Sequence, residues 1–179
     1  MRGPVDAQTL LDSLHSEGLL APPTDLSVLE RSEEATSATL DNWFGSSDWR
    51  DQGHSFVQLG QDGAGSLFAQ WSHPGLDGEP PVVCFGASGS AKVVAGSTAE
   101  FVQLIGSGHS WHTSTDSWRP VEGDTAALKA RTEAELGALS APAAELLAKA
   151  GEGRPDFSAW AAEYLDDMKA TVPIPGRRA

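Results

Sequence analysis

Two histidines stand close together in His109-Ser110-Trp111-His112. Such spacing occurs in metal sites, but a metal also requires third and fourth ligands, and Asp116 is the only acid near them in sequence. The flanks, Gly106-Ser107-Gly108 and Thr113-Ser114-Thr115, have the composition of a loop. This favours a solvated segment over a metal centre. His54 and His73 flank a predicted hairpin, and nothing in their spacing requires them to meet. Each reads as a surface or hydrogen-bonded histidine. The single cysteine, Cys84, sits in the apolar run Val82-Val83-Cys84-Phe85 and reads as a small buried hydrophobe. One cysteine also excludes an intramolecular disulfide.

The glycine-rich segments do not fit phosphate loops. Gly60-Gln61-Asp62-Gly63-Ala64-Gly65 reverses the order of a dinucleotide fingerprint, and a strand follows it rather than a helix. Gly86-Ala87-Ser88-Gly89-Ser90-Ala91-Lys92 lacks the spacing and the ending of a P-loop, and lacks the last glycine of a nucleophile elbow. Both read as hairpin turns. Asp77 with Glu79, and Asp166 with Asp167, are acidic pairs whose spacing fixes no catalytic separation. No Ser/His/Asp or Cys/His arrangement stands out. The expectation is therefore no catalytic residue, no metal and no cofactor. A metal-dependent enzyme using His109 and His112 is the least favoured alternative.

The elements that must position these residues change period along the chain. Asp6 is placed to cap a helix carrying Ala7, Leu10, Leu11 and Leu14, with Val5 and Leu10 set for a hydrophobic staple and Gly18 closing it. Residues 25–44 are ambiguous: Leu26, Leu29 and the acids after them suggest one helix, and Leu40, Trp43 and Phe44 a second short one stopped by Gly45. Residues 55–59 and 66–71 read as a hairpin about the Asp62–Gly65 turn. Residues 81–85 and 91–95 read as a second hairpin. Ser97 and Glu100 form a capping box for a helix bearing Phe101, Leu104 and Ile105 and ended by Gly106. Residues 107–123 read as an irregular connection rich in Gly, Ser, Thr and Trp. Helices follow: one capped by Asp124, one opened by Ser140 and Pro142, and one capped by Asp156. The last carries Phe157, Trp160, Ala161, Tyr164, Leu165 and Met168 on one stripe.

Strands segregated from helices predict an α+β fold: an antiparallel sheet from two consecutive hairpins, helices packed on one face, and a C-terminal helical extension. The expected organisation is a domain over 1–106, a connection over 107–123, an extension over 124–170 packed on the same domain, and a frayed tail over 171–179.

The chain has 179 residues and a formal charge of −13, from 25 acidic and 12 basic side chains. Residues 1–100 hold 14 acids against 4 bases, net −10, and residues 101–179 hold 11 against 8, net −3. This argues against nucleic acid and anionic membranes as partners and is compatible with a basic protein partner. No apolar run approaches the ~20 residues of a membrane span. The opening Met1-Arg2-Gly3-Pro4-Val5-Asp6 has no apolar core behind it. A cytoplasmic protein, or one exported by a route the sequence does not show, is the expectation.

Residues 55–105 resemble the SUKH superfamily, which includes cell-wall-assembly-regulator-like proteins and bacterial immunity proteins. The resemblance rests on the strand–turn–strand Phe56 to Trp71 with Asp62, Gly63 and Gly65 in its "DGxG" turn. It rests also on the apolar strand Pro81–Phe85 and on the closing helix with Ser97, Glu100, Phe101 and Leu104. Ahead of the sheet Asp41 stands where the family often has proline, and residues 107–179 have no counterpart. The resemblance implies an antiparallel sheet with helices on one face and a binding activity, since such immunity proteins neutralise toxins, often nucleases, by docking on them. The expected contacts are Asp62, Trp71, Asp77, Glu79 and Trp111, placed on turns and loops at the ends of the sheet. Trp43 and Trp71 also fit a core, and Trp111 and Trp118 fit either packing or a partner face. A regulatory or scaffold protein of the same fold without a toxin partner is the alternative. The oligomeric state is not set by the sequence.

Overall fold

The computed structural model describes residues 5–50, 52–86 and 89–171, with 165–171 described as backbone alone. The elements run α1 (Ala7–Ser16), β1 (Leu26–Val28), α2 (Glu33–Phe44), β2 (Ser55–Asp62), β3 (Leu67–Ser72), β4 (Val82–Phe85) and β5 (Ala91–Ala95). They continue α3 (Thr98–Gly106), β6 (His109–His112), β7 (Ser117–Pro120), α4 (Ala126–Leu136), α5 (Ala143–Ala150) and α6 (Phe157–Thr171). The first five strands form one sheet in sequence order, every neighbouring pair antiparallel. The fold is α+β, as the segregation of strands from helices predicts.

Local chemistry explains the boundaries. Asp6 accepts from the Thr9 amide at the start of α1, and Ser97 accepts from the Glu100 amide at 3.1 Å at the start of α3. Glu100 reaches back to the Gly96 amide at 2.6 Å, closing the capping box one residue earlier than the usual form. Asp156 accepts from the Ala159 amide at 3.1 Å and starts α6.

Residues 25–44 resolve differently from the helical reading. Leu26–Val28 is a strand paired with Gly60–Asp62, and one continuous helix follows, capped by Ser32 and ended by Gly45 at φ 73°. The three-residue strand is too short to show a period, so only its pairing partner reveals it. Residues 107–123 hold a second small sheet rather than an irregular connection. Here β6 and β7 pair with Trp111 opposite Trp118, their rings edge to face at 5.5 Å. The Ala87–Ser88 part of the β4–β5 turn and the 172–179 tail lie outside the described residues.

Alternation along the strands separates two cores. On one face, Leu59, Phe68, Val82, Cys84 and Val94 pack with Leu10, Leu14, Phe101 and Leu104 from α1 and α3. Leu128 of α4, Leu146 of α5, Trp111 and Trp118 join that cluster. On the other face, Phe56, Leu67, Trp71, Val83 and Phe85 pack with Leu40 and Phe44 of α2 and Phe157 and Ala161 of α6. Helices therefore cover both faces, where the sequence reading expects one: α1, α3, α4 and α5 lie on one side, and α2 and α6 close the other. The reason is legible in β4, where all four side chains are buried. A strand apolar on both sides needs a cover on both sides.

The α3–α4 contact is close. A Cβ at Gly106 would lie 2.3–2.5 Å from three side-chain atoms of Thr132. Glycine is needed here for approach, not for backbone conformation.

Candidate functional site

The β2–β3 turn is built by one side chain. Asp62 Oδ1 accepts from the Ala64 amide at 3.0 Å and from the Ser66 amide at 2.9 Å. The Asp62 amide donates to the Ser66 carbonyl, and Gly65 at φ 88° lets the chain reverse. Asp25 lies against this turn. Its carbonyl accepts from the Gly63 amide at 3.1 Å, and its carboxylate lies so close that a Cβ at Gly63 would fall 1.8 Å from Oδ2. Asp25 itself holds φ 53°, a left-handed conformation that costs a non-glycine residue stability. Partial burial pushes the Asp62 carboxyl above its usual value. Its hydrogen bonds to Ser66 and Ala64 oppose that, and the neighbouring Asp25 charge adds to it.

These acids open onto a shallow depression of about 370 Å³, lined by Asp25, Asp62, Ser110, Trp111, His112 and Thr113 among others. The depression brings together two of the expected contacts, Asp62 and Trp111. Trp111 is a correction: the residue is 6% exposed, and its ring packs on Trp118 inside the first core. Trp118 is buried too, its indole donating to the Val94 carbonyl at 2.8 Å.

Trp71 is a second correction. It is 0% exposed, on the opposite face of the sheet. Its indole donates to His54 Nδ1 at 2.9 Å with the two rings parallel, and the His54 ring stacks at 4.2 Å on Trp160. Desolvation, then the charge of His73, holds His54 below the usual imidazole value. His73 is buried, with Nδ1 2.9 Å from the Pro74 carbonyl and Nε2 3.3 Å from Arg154 Nη1. The two histidines do meet, through the indole of Trp71.

Asp77 and Glu79 are exposed on the loop between β3 and β4. Glu79 borders a separate depression of about 350 Å³ beside Gln70 and Thr98. That loop and the Asp62 turn lie at opposite ends of β3, a separation of about 20 Å at the rise of a strand. The five expected contacts therefore do not form one patch. Asp25 is the residue the sequence reading missed, because its meeting with Asp62 depends on the β1–β2 pairing.

His109 and His112 lie three residues apart on a strand, so their side chains leave opposite faces of the hairpin. His109 Nδ1 is 2.8 Å from Ser107 Oγ, and His112 Nε2 is 3.2 Å from Ser110 Oγ. Among the described residues no group of three or more His, Cys, Asp or Glu side chains is placed to hold a metal ion. Cys84 is buried, and burial together with the Asp62 and Asp116 charges pushes its thiol far up, away from the reactive thiolate.

No helix among the described residues is long and apolar enough to cross a membrane. No family model, no curated protein and no solved structure matches this chain.

Proposed function

We propose that this chain is a protein-binding module for a basic partner, in the manner of the SUKH-like immunity proteins that residues 55–105 resemble. The concrete form of the proposal is an immunity protein covering a basic toxin. The observation that carries it is the pairing of Asp25 and Asp62 at the open end of the sheet. Burial raises the Asp62 carboxyl, the Asp25 charge adds a smaller push in the same direction, and Asp25 holds a left-handed backbone. Both features cost the free protein stability. A lysine or arginine of a partner seated in the depression would remove the repulsion, so its energy would appear as affinity. The net charge of −13 adds long-range attraction for a basic protein and speeds encounter.

The test starts from a basic protein captured at low salt with the tagged chain and released at high salt, followed by titration of the purified pair. Asp25→Asn and Asp62→Asn are each expected to weaken binding by about tenfold or more, in line with a lost charge pair worth about 1.4 kcal/mol. Unchanged affinity in both variants would refute the assignment. Protection of cells against the captured protein separates the immunity role from a regulatory one.

A further inference from the structure

The edges of the five-stranded sheet are treated unequally. At β5 two carbonyls are taken by side chains from outside the sheet: Trp118 Nε1 donates to Val94, and Ser158 Oγ donates to Ala91 at 2.5 Å. At the other edge β1 covers Gly60–Asp62 only. The next outward groups of β2 are also taken, the Leu59 carbonyl by the Leu29 amide at 3.1 Å and the Gln58 amide by Thr36 Oγ1 at 3.1 Å. The cover stops there.

Phe56 is two residues before Gln58, so its amide and carbonyl face the same way, outward. The Trp71 amide opposite it donates to Pro81 on the far side, which leaves Phe56 and Trp71 a non-hydrogen-bonded pair. Among the described residues nothing bonds the Phe56 peptide from the outer side. It faces a groove of about 650 Å³ between β2 and α2, bordered by Glu33, Ser37, Trp49, Arg50 and Ser55. Arg50 is occupied by Asp41, which also accepts the Trp49 indole at 2.8 Å. Glu33 and its neighbour Glu34 form no ion pair among the described residues, the nearby Arg50 being held by Asp41.

We propose that the uncovered part of β2, residues 55–57, accepts an extended, lysine- or arginine-bearing segment of a second protein by strand addition. The backbone of that segment would pair with Phe56 in line with β1, at about 4.8 Å from β2, and its basic side chains would face Glu33 and Glu34. A second copy of this chain fits worse, because it would bring the same acids and another −13 charge to the groove. The site is separate from the Asp25–Asp62 depression, and the inference does not rest on that depression being used.

The test is amide hydrogen exchange of the full chain, alone and with a short synthetic peptide alternating lysine and valine. The Phe56 amide is expected to exchange readily in the free protein. It is expected to slow about tenfold when the peptide stands about tenfold above its Kd. A glutamate-for-lysine peptide should give no slowing. Glu33→Lys, at an exposed position, and Ser37→Trp, at a half-buried one, both on the rim of the groove, should each remove the effect while far-ultraviolet circular dichroism and the urea midpoint stay close to those of the parent. Three outcomes overturn the inference. One is a Phe56 amide already protected in the dilute free protein. Another is peptide protection at Gly63–Ser66 in place of Phe56. The third is Phe56 protection that rises with protein concentration alone, together with a dimer in sedimentation, which would assign the edge to a second copy.

Discussion

Replacing Gly106 with alanine tests whether the C-terminal helices are built onto the sheet domain through direct helix contact. The new Cβ would meet Thr132 Oγ1, Cγ2 and Cβ at 2.3, 2.4 and 2.5 Å. Ordinary contact begins near 3.4 Å, so the shortfall is about 1 Å. Rotating the threonine side chain cannot remove it, because Thr132 Cβ is fixed to the α4 backbone. Helix α4 would have to shift against α3 and α1, and overpacking of this kind costs about 1–3 kcal/mol. Alanine returns up to about 1 kcal/mol of helix propensity, less at the last residue of a helix, since no positive φ is required there. The expected net loss is about 1–2 kcal/mol. For a chain of this length that lowers the thermal midpoint by about 2–4 °C per kcal/mol. Urea unfolding followed by tryptophan fluorescence and by circular dichroism reads it. Combining Gly106→Ala with Thr132→Ala should recover only part of the loss, because the Cβ contact persists. A Gly106→Ala protein as stable as the parent would refute the close α3–α4 packing.

Three further outcomes follow from particular groups. Asp62→Asn keeps an oxygen for the Ala64 and Ser66 amides and removes the charge beside Asp25. Because the folded carboxyl lies above its unfolded value of 3.8, the charged form costs stability at neutral pH, and the cost fades as pH falls through the folded value. The variant should therefore show a higher urea midpoint than the parent at pH ~7, a gain that shrinks at pH ~3 where the parent carboxyl is protonated. His54 acts with the opposite sign. Its folded value lies below 6.5, so stability is full above that pH and falls as acid carries the protein from 6.5 down to the depressed value, His109 adding in the same direction. His54→Asn, which keeps an acceptor for Trp71 Nε1, should flatten that slope in urea midpoints measured between pH ~7.5 and ~5, and an unchanged slope would remove His54 from the account. Trp118→Phe deletes the donor to Val94 and leaves a buried carbonyl unpaired, at a cost of about 1–3 kcal/mol in urea unfolding. A phenylalanine variant as stable as the parent would show that this bond contributes nothing.

What the sequence discloses tracks how local the determinant is. The capped helix starts at Asp6, Ser97 and Asp156 and the Asp62–Gly65 turn depend on residues a few positions apart, and they are legible. Strand β1 is three residues long and exists because Gly60–Asp62 pair with it, so its apolar Leu26 reads equally well as helix. The β6–β7 hairpin hides behind serines, threonines and glycines; its one usable signal is the Trp111 and Trp118 pair, which fixes register only once the strands are opposed. The helix cover on both faces is implied by the unbroken Val82–Phe85 run, but which helices provide it is decided at long range. The site shows the same limit. Asp62 is identifiable as a turn acid, whereas its meeting with Asp25 rests on the β1–β2 register. Tryptophans 71 and 111 carry the composition of an interface, yet their rings are taken by His54 and by Trp118.

The five-stranded sheet also works as a partition. Side chains of Phe68, Cys84 and Val94 touch one set of helices, and side chains of Leu67, Val83 and Phe85 touch another, with a single layer of backbone between them. Volume changes on one side reach the other only by bending that backbone, so substitutions drawn from opposite sides should combine close to additively, while those within a side should not. Over evolutionary time such a wall lets either half of the interior be repacked without renegotiating the other. The α1–α3–α4 side and the α2–α6 side are then free to drift at different rates under different demands.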